Sequence, residues 1–351
     1  LGGDEFAVLV PNQAVLSDIE HMARCMLKAI AAPLSLDAQS THVTGSLGIA
    51  LAPADGSEVG ELVSAADLAM YQAKAEGRNC VRFFNARLKE KVLTRRALES
   101  EIRRAIEQHE FELFYQPQIR ITDQALVGLE ALLRWRHPKE GLLPPIRFIA
   151  AIETGAFAVE VGAWVMATAC AYAAELRKVL PELTMGVNLF SAQFQSGQLA
   201  TQVQAVLETT GLAPEALEIE ITENIILAHD ELVLEPLQAL RDMGVGIAFD
   251  DFGTGYASLS LLKRYPLTRL KIDRSFITEI CDDEADAAIV KAVIFVADKL
   301  RLQVIAEGVE TAEQRDFLQT CGCQHVQGYL YGKPMAIADL ENFIQQKLLG
   351  G

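Results

Sequence analysis

The sequence predicts an α/β barrel preceded by a smaller α/β segment, and two observations lead to this fold class. From Phe111 onward, strand-like apolar runs alternate with helical stretches, which is typical of parallel βα units. Seven of these runs also end on an acid, an amide or a lysine. A barrel brings the carboxyl ends of its strands to one mouth, so these distant side chains are expected to converge.

The first segment, residues 1–84, reads as a mixture of short strands and two amphipathic helices. Apolar residues recur at helical spacing in the helices, and Pro53–Gly56 supplies a turn between elements. The predicted elements are a strand at Phe6–Val10, a helix at Asp18–Ile30, a strand at Val43–Ala50, a helix at Ser64–Lys74 and a strand at Val81–Phe84.

A charged helix, about Ala86–Gln108, is expected to join the two parts, and its apolar positions form one packing stripe. The predicted domains are therefore a first segment at 1–84, a linker helix at 85–108 and a barrel at 109–351. Periodicity does not reveal whether a strand near the start of the barrel runs antiparallel to the others.

The barrel is predicted from runs that alternate with helices. The seven runs are Ala125–Arg134, Leu183–Phe190, Leu217–Glu223, Val245–Asp251, Arg269–Asp273, Leu302–Glu310 and His325–Tyr331. The helical stretches are Gly162–Lys178, Ser196–Thr210, Glu231–Asp242, Asp286–Leu300 and Ala312–Gln319.

Composition and charge restrict the class of partner. The chain has 351 residues, of which 50% are hydrophobic and 22% charged, enough apolar material for two folded domains. Its formal net charge of −16 argues against general binding to DNA or to an anionic membrane face. This negative charge is compatible with a small phosphate ligand, because a bound metal ion makes the local electrostatic potential positive.

Cysteine spacing and hydropathy favour a reduced, cytoplasmic protein. The six cysteines show no framework spacing, and Cys321-Gly322-Cys323 has no second pair to complete a metal site. The most apolar stretch, Ala156–Tyr172, is interrupted by Glu160 and is shorter than the roughly 20 residues of a membrane span. The chain begins at Leu1 inside an apparent strand and turn. A membrane anchor or sensor upstream of Leu1 in the parent protein is therefore compatible with the sequence.

The groups at the ends of the runs point to a metal-dependent active site. Carboxylates gathered on one rim repel each other unless cations neutralise them. Ligand sets made only of oxygen select hard ions such as Mg²⁺ or Mn²⁺. For any single acid, a helix cap or a solvated surface position is the alternative, and this holds for Asp250-Asp251 as well. Lys271 alone also fits a lysine that merely extends its charge to the surface.

Residues 1–84 resemble the C-terminal half of a GGDEF (diguanylate cyclase) domain. The matching motifs are Leu1-Gly2-Gly3-Asp4-Glu5-Phe6, Val43–Ala50, Ala66–Lys74 and Gly77-Arg78-Asn79. The resemblance implies GTP as a ligand of this part in the full-length protein. It covers only half of such a domain, without the first metal-binding acid and much of the guanine pocket. A tight hairpin with two solvated acids is the alternative reading of residues 1–6.

Residues 98–345 resemble the EAL family of cyclic di-GMP phosphodiesterases. Eight motifs occur in the family order: Tyr115-Gln116-Pro117, Glu130–Trp135, Val187-Asn188-Leu189, Glu220-Ile221-Thr222-Glu223, Asp250–Tyr256, Leu270–Asp273, Ala306–Thr311 and Gln327-Gly328-Tyr329. The resemblance implies a TIM-like (β/α)8 barrel. It also implies hydrolysis of one phosphodiester bond of cyclic di-GMP to linear pGpG, with two Mg²⁺ or Mn²⁺ ions.

The family's functional positions carry over residue by residue. The resemblance implies that one ion binds Glu130, Asn188, Glu220 and Asp250, and that the second binds Asp250, Asp251 and Glu307. Lys271 would hold and polarise the attacking water, and Glu223 would brace the loop Phe252–Tyr256. The implied substrate-binding residues are Gln116, Leu132, Arg134, Asp273, Glu310 and Gln327. An ordinary ion pair for Arg134, and structural hydrogen bonds for Gln116, Glu310 and Gln327, remain alternatives.

Two other functions and a homodimer are also compatible with the sequence. A binding module that senses cyclic di-GMP without cutting it would be favoured by loss of metal ligands, and none is lost. For the parent protein, a diguanylate cyclase whose EAL part is regulatory is the second alternative. The family also implies a homodimer through the helix after the loop, where Leu259–Leu262 is apolar. Alternatively, these leucines pack on their own barrel.

Overall fold

The computed structural model describes residues 4–11, 15–36, 39–41, 43–75, 77–153, 155–253 and 259–349. The chain divides into two compact units, Leu1–Glu101 and Ile102–Gly351. The division falls inside the helix that the sequence placed between the domains, while the predicted boundaries at residues 84 and 108 remain predictions. Among the described helices, none has the length and apolar character that a membrane crossing requires.

The first unit contains short strands and two long helices. Its elements are α1 (Leu16–Ile30), β1 (Leu34–Leu36), β2 (Gln39–Thr41), β3 (Leu47–Ile49), α2 (Val59–Ala75), β4 (Val81–Phe83) and the first part of α3 (Ala86–Glu107). Strands β1 and β2 pair antiparallel, and β3 pairs parallel with β4. A Cβ on Gly48 would lie 2.0 Å from the carbonyl oxygen of Ala66, so glycine lets α2 pack directly on β3.

One predicted strand of this unit is wrong. Residues 5–10 have no regular secondary structure, and the side chains of Phe6 and Leu9 are 88% and 91% exposed. A strand needs a neighbour to satisfy its backbone hydrogen bonds, and no pairing to this run is formed in the described part of the chain. Leu1, Gly2 and Gly3 of the predicted turn lie outside the described residues.

The second unit is built from nine strands and ten α-helices besides the end of α3, counted over the described residues. The strands are β5 (Phe111–Arg120), β6 (Leu126–His137), β7 (Gly141–Leu143), β8 (Thr184–Asn188), β9 (Leu217–Thr222), β10 (Gly246–Phe252), β11 (Arg269–Ile272), β12 (Gln303–Ala306) and β13 (His325–Gln327). The helices are α4 (Ile149–Glu153), α5 (Ala158–Leu176), α6 (Ser191–Gln195), α7 (Leu199–Thr210), α8 (Glu223–Asp242), α9 (Leu259–Arg264), α10 (Arg274–Thr278), α11 (Glu284–Leu300), α12 (Ala312–Thr320) and α13 (Ile337–Leu349).

Eight of these strands close into a barrel, which confirms the predicted fold class. Their order is β5, β13, β12, β11, β10, β9, β8 and β6, and a second pairing between β6 and β5 closes the ring. Strand β5 runs antiparallel to both of its neighbours, while the other seven are parallel to one another. The short connection between β5 and β6 explains this reversal, because a few residues can join only antiparallel neighbours. Strand β7 extends the outer edge of β6.

The alternation of side chains along the strands separates the barrel interior from the layer under the helices. In β10, Phe249 is fully buried and its ring lies 5.7 Å from that of Phe252, while the adjacent Asp250 belongs to the opposite face. Apolar residues therefore fill the interface with the helices, and the polar residues of the strands are left for the interior.

We expect Phe249→Ala to lower the free energy of unfolding of the barrel by about 3–5 kcal/mol, because it leaves a cavity in a closed core. The matched control is Phe295→Ala on α11, where the ring is 63% exposed and the change should cost within about 0.5 kcal/mol. Urea unfolding followed by tryptophan fluorescence reports on this unit, since both tryptophans, Trp135 and Trp164, belong to it. Equal losses in the two variants would contradict the assigned core.

Candidate active site

The candidate active site is organised around the ammonium group of Lys271, which points from β11 into the barrel and is 1% exposed. Its Nζ contacts the carboxylate oxygens of four acids. The distances are 2.6 Å to Glu220 Oε2, 2.8 Å to Glu307 Oε1, 3.1 Å to Asp250 Oδ1 and 3.6 Å to Glu130 Oε2. The prediction that the acids of distant runs converge is therefore met by these four residues and Lys271.

Strand register explains why the acids meet at one level. Glu130 of β6 pairs with Gly186 of β8, and the next inward residue of β8, Asn188, pairs with Glu220 of β9. A Cβ on Gly186 would lie 2.2 Å from Glu220 Oε1. Glycine at this position therefore leaves the space that the Glu220 carboxylate occupies.

The cluster contains more acid than one lysine can neutralise. Burial raises the pKa of Glu307 to about 8, with Lys271 opposing and Asp250 adding to the effect. Burial and the neighbouring Glu130 raise the pKa of Glu220 well above its usual value. Although burial acts in the opposite direction, the surrounding carboxylates raise the pKa of Lys271 well above that of an exposed lysine. The lysine is therefore held charged, and Glu220 and Glu307 tend to keep a proton because one lysine does not neutralise all of the acid.

Glu130 differs from the other acids because amide groups support its charge. Burial opposes ionisation, but Lys271 and hydrogen bonds from Gln327 and Asn188 lower the pKa of Glu130. Asn188 Nδ2 donates to Glu130 Oε1 at 2.9 Å, and Gln327 Nε2 donates to Glu130 Oε2. Gln327 Nε2 also donates to Gln116 Oε1 at 3.1 Å, so both predicted glutamines adjoin the cluster.

A second group of acids lies beside Asp250. Carboxylate oxygens of Asp250, Asp251 and Glu307 lie within 4.8 Å of one another. Burial and the charge of Asp250 raise the pKa of Asp251 to about 6. Asp251 also has a φ of 54°, in the left-handed region that a non-glycine residue seldom adopts. Such strain at a cluster of like charges is typical of a functional site.

The donor set fits a hard divalent cation. Every side chain of the cluster except Lys271 offers oxygen, and no thiol or imidazole takes part among the described residues. Glu220 Oε1 is buried and has no hydrogen-bond partner among the described residues. An unpartnered buried carboxylate oxygen is costly, so a cation that it could ligate would remove a penalty.

The other four predicted substrate residues are Leu132, Arg134, Asp273 and Glu310, and the contacts described for them are to residues outside the acid cluster. Arg134 is partly buried, and its guanidinium lies 5.5 Å from the centre of the Phe114 ring. Leu132 is also partly buried, and Glu310 is exposed. Asp273 caps α10, accepting a 3.0 Å hydrogen bond from the backbone N–H of Ser275. Substrate contact by these four residues remains a prediction.

Glu223 is the first residue of α8, and both of its carboxylate oxygens are buried without a partner among the described residues. Residues 254–258 of the loop that it was predicted to brace lie outside the described residues. Gly253 has a φ of 99°, and a Cβ there would lie 2.8 Å from the Phe276 ring. The start of this loop therefore requires glycine.

Sequence reasoning missed a second charged level of the barrel interior. Arg269 Nη1 donates to Glu218 Oε1 at 2.8 Å, and both side chains are almost fully buried. Gln118 Oε1 accepts a 3.1 Å hydrogen bond from the same guanidinium nitrogen. The available signal was spacing, since Glu218 and Arg269 each lie two residues before a cluster residue and therefore face the same way.

Comparison with known proteins places the chain in a family. Residues 99–334 match the EAL domain family, and residues 1–80 match the family described as diguanylate cyclase, GGDEF domain. The chain therefore belongs to the EAL domain family, with a GGDEF match at its N-terminal side. Both predicted resemblances are confirmed.

Two curated relatives from Pseudomonas aeruginosa are similar over nearly the whole chain. Cyclic di-GMP phosphodiesterase NbdA is 39% identical over 344 residues, covering 98% of this chain and 44% of the relative. Bifunctional diguanylate cyclase/cyclic di-GMP phosphodiesterase MucR is 39% identical over 344 residues, covering 97% of this chain and 50% of the relative. The chain thus spans about half the length of the relatives it matches.

A solved structure supports the barrel. The PaMucR phosphodiesterase in complex with c-di-GMP is 40% identical, with a TM-score of 0.66. The match covers 70% of this chain and 99% of the solved one.

We expect Lys271→Met to lower the free energy of unfolding of the metal-free protein by about 3–5 kcal/mol, because it leaves buried acids without their cation. The matched control is Lys178→Met, which removes a 2.6 Å ion pair to Glu175 on the surface and should cost at most about 1 kcal/mol. Urea unfolding in the presence of a chelator measures both variants. A loss of similar size in the two would show that the cluster does not depend on Lys271.

Proposed function

We propose that this chain hydrolyses one phosphodiester bond of cyclic di-GMP, giving linear pGpG, in bacterial second-messenger signalling in the cytoplasm. The observation that carries the proposal is the ring of four carboxylates around Lys271, three of them buried and that of Glu307 partly buried, in a chain that keeps every predicted metal-ligand position. The names of the curated relatives and the substrate-bound PaMucR structure give independent support.

The activity is proposed to depend on two divalent ions, Mg²⁺ or Mn²⁺. Glu130, Asn188, Glu220 and Asp250 would hold one ion, and Asp250, Asp251 and Glu307 the other. When bound, such ions supply positive charge that stabilises the phosphoryl oxygens and makes water a better nucleophile near neutral pH.

The side chains of the barrel mouth would perform the remaining tasks. Lys271, held charged by its acidic neighbours, would donate a hydrogen bond to the attacking water and orient it. Arg134 would bind a phosphate oxygen of the substrate. The dinucleotide would be positioned by Gln116, Leu132, Asp273, Glu310 and Gln327. Glu223 would support the loop that follows β10.

A sensor that binds cyclic di-GMP without cutting it is the alternative function. It would be favoured by replacement of a metal-binding residue, and each predicted position retains its oxygen ligand. A second activity, synthesis of cyclic di-GMP from GTP, is proposed only for the parent protein. The bifunctional name of the MucR relative and the match of residues 1–80 support it.

We expect cyclic di-GMP to be converted to pGpG with Mg²⁺ or Mn²⁺ and to persist in excess chelator, because the ligand set contains only oxygen. Ca²⁺ should bind and inhibit, since its larger and more flexible coordination shell misplaces the reacting groups. Chromatographic separation of the products after incubation tests both statements. Binding of cyclic di-GMP without product in Mn²⁺ would favour the sensor, and full turnover in chelator would exclude metal dependence.

Substitutions at Lys271 and Arg134 should separate catalysis from binding. Lys271→Ala should lower kcat by about 10²–10³-fold with a smaller effect on substrate affinity, because its role lies at the attacking water. Arg134→Ala should mainly weaken substrate binding, since contact with the phosphate exists in the ground state. Steady-state kinetics and direct binding measurements decide between them. The assigned roles would be wrong if both variants changed kcat and affinity in the same proportion.

We further propose a homodimer through the EAL domain, with α9 at the contact. Leu262 is 4% exposed and already packs within its own barrel, whereas Leu261 is partly exposed. The Leu259 side chain lies outside the described residues. Sedimentation velocity should therefore show a dimer that Leu261→Asp dissociates, with a loss of turnover. A monomeric wild-type protein with full turnover would remove the dimer from the mechanism.

A further inference from the structure

A continuous chain of hydrogen bonds crosses the barrel interior from the Arg269–Glu218 pair to the acid cluster. Gln118 of β5 connects the two levels: its Oε1 accepts from Arg269 Nη1, and its Nε2 donates to Gln327 Oε1, each at 3.1 Å. Gln327 Nε2 then donates to Glu130. Gln118 is 1% exposed, and Gln327 and Arg269 are 4% and 5% exposed, so water does not compete for these contacts.

The direction of each hydrogen bond in this network follows from the guanidinium group of Arg269 at its end. A guanidinium only donates, so the amide oxygen of Gln118 must face Arg269 and its NH₂ group must face Gln327. That NH₂ group requires an acceptor, so the oxygen of Gln327 faces Gln118. The NH₂ group of Gln327 is then left to donate to Glu130 Oε2 and to Gln116 Oε1.

The reverse orientation of Gln327 is unfavourable at both ends. Its oxygen would approach the carboxylate oxygen Glu130 Oε2, and its NH₂ group would face that of Gln118. In a buried site such unpaired contacts are costly, so the network has one low-energy arrangement.

The barrel also provides a dedicated space for the Gln118 side chain. Gln118 pairs across the β5–β6 ladder with Gly128, and a Cβ on Gly128 would lie 2.5 Å from Gln118 Oε1. The same Cβ would lie 2.7 Å from Thr184 Oγ1. Any larger residue at 128 would therefore displace the amide from Arg269.

We propose that Gln118, aligned by Arg269, is a positioning residue that fixes the amide orientation of Gln327 and thereby holds Glu130 ready to ligate a divalent cation. Gln118 acts at one remove, through Gln327. The inference rests on the divalent-metal site proposed above. Groups that orient a metal ligand typically change metal affinity by about 10–100-fold when they are removed.

Calorimetric titration of the metal-free protein with MnCl₂ tests the proposal without using activity. Gln118→Met should weaken Mn²⁺ binding by about 10–100-fold. Gln303→Met is the matched control, because Gln303 Oε1 accepts a 2.9 Å hydrogen bond from Arg269 Nη2 but serves the opposite branch of that guanidinium. The control should bind Mn²⁺ with wild-type affinity.

A double-mutant cycle distinguishes positioning through Gln327 from a general loss of structure. In the Gln327→Met background, Gln118→Met should cause no further loss of Mn²⁺ affinity, since the side chain that it orients is gone. The proposal would be overturned if Gln118→Met lowered Mn²⁺ affinity as much in the Gln327→Met background as in the wild type. It would also be overturned if the Gln118→Met single variant bound Mn²⁺ with wild-type affinity.

If Gln118→Met fails to fold, Gln118→Glu provides a second variant. It keeps a side-chain oxygen at position 118 that can accept the hydrogen bond from Arg269. Its carboxylate accepts from Arg269 but cannot donate to Gln327, so Gln327 should turn its oxygen towards Glu130 and Mn²⁺ should bind more weakly. Unchanged or tighter binding, as expected from added negative charge alone, would overturn the proposal. A wild-type protein that binds no Mn²⁺ would instead refute the proposed metal site, and this inference with it.

Discussion

The contact on which the site depends is the buried ammonium of Lys271 among the carboxylates of Glu130, Glu220, Asp250 and Glu307. These acids come from four parts of the barrel that are distant in sequence, and only closure of the sheet brings them to one point. Lys271 makes their convergence tolerable because it supplies the one positive charge of the described cluster. It does not balance them, since burial keeps the pKa of Glu220 and Glu307 raised. This imbalance is the physical reason for the proposal that the cluster binds additional cations.

The two charged levels of the barrel interior differ in the balance of positive and negative side chains. The level of Arg269 is close to neutral, and the level of Lys271 has an excess of acid. At the lower level, Arg269 faces one carboxylate, that of Glu218, and its remaining described partners are neutral amides. That level is close to neutral and needs no ligand. At the upper level, Lys271 faces four acids, and Glu220 Oε1 has no partner among the described residues. The upper level is therefore the one that has excess acid for the proposed cations to neutralise.

Much of this arrangement could be predicted from the sequence, for reasons visible in particular residues. The runs that became β6 and β8 to β13 were identifiable because each joins an apolar stretch to a chemically distinctive end. The direction of β5 was not, since side-chain alternation is the same in parallel and antiparallel strands. The strand expected at Phe6–Val10 failed because an apolar run does not specify a neighbour to pair with. Gln118 was missed because a single buried glutamine in a strand has no periodic signature, and its role follows only from the contact with Arg269.

The central claim is that the excess acid around Lys271 exists to bind divalent cations. Anomalous diffraction from crystals of this chain grown with Mn²⁺ tests it most directly, because it locates the ion among named side chains. The account predicts a manganese peak bounded by Glu130, Asn188, Glu220 and Asp250, with the Glu220 carboxylate turned from Lys271 towards the ion. Absence of a peak there, with the contact between Lys271 and Glu220 unchanged and manganese bound elsewhere, would contradict it.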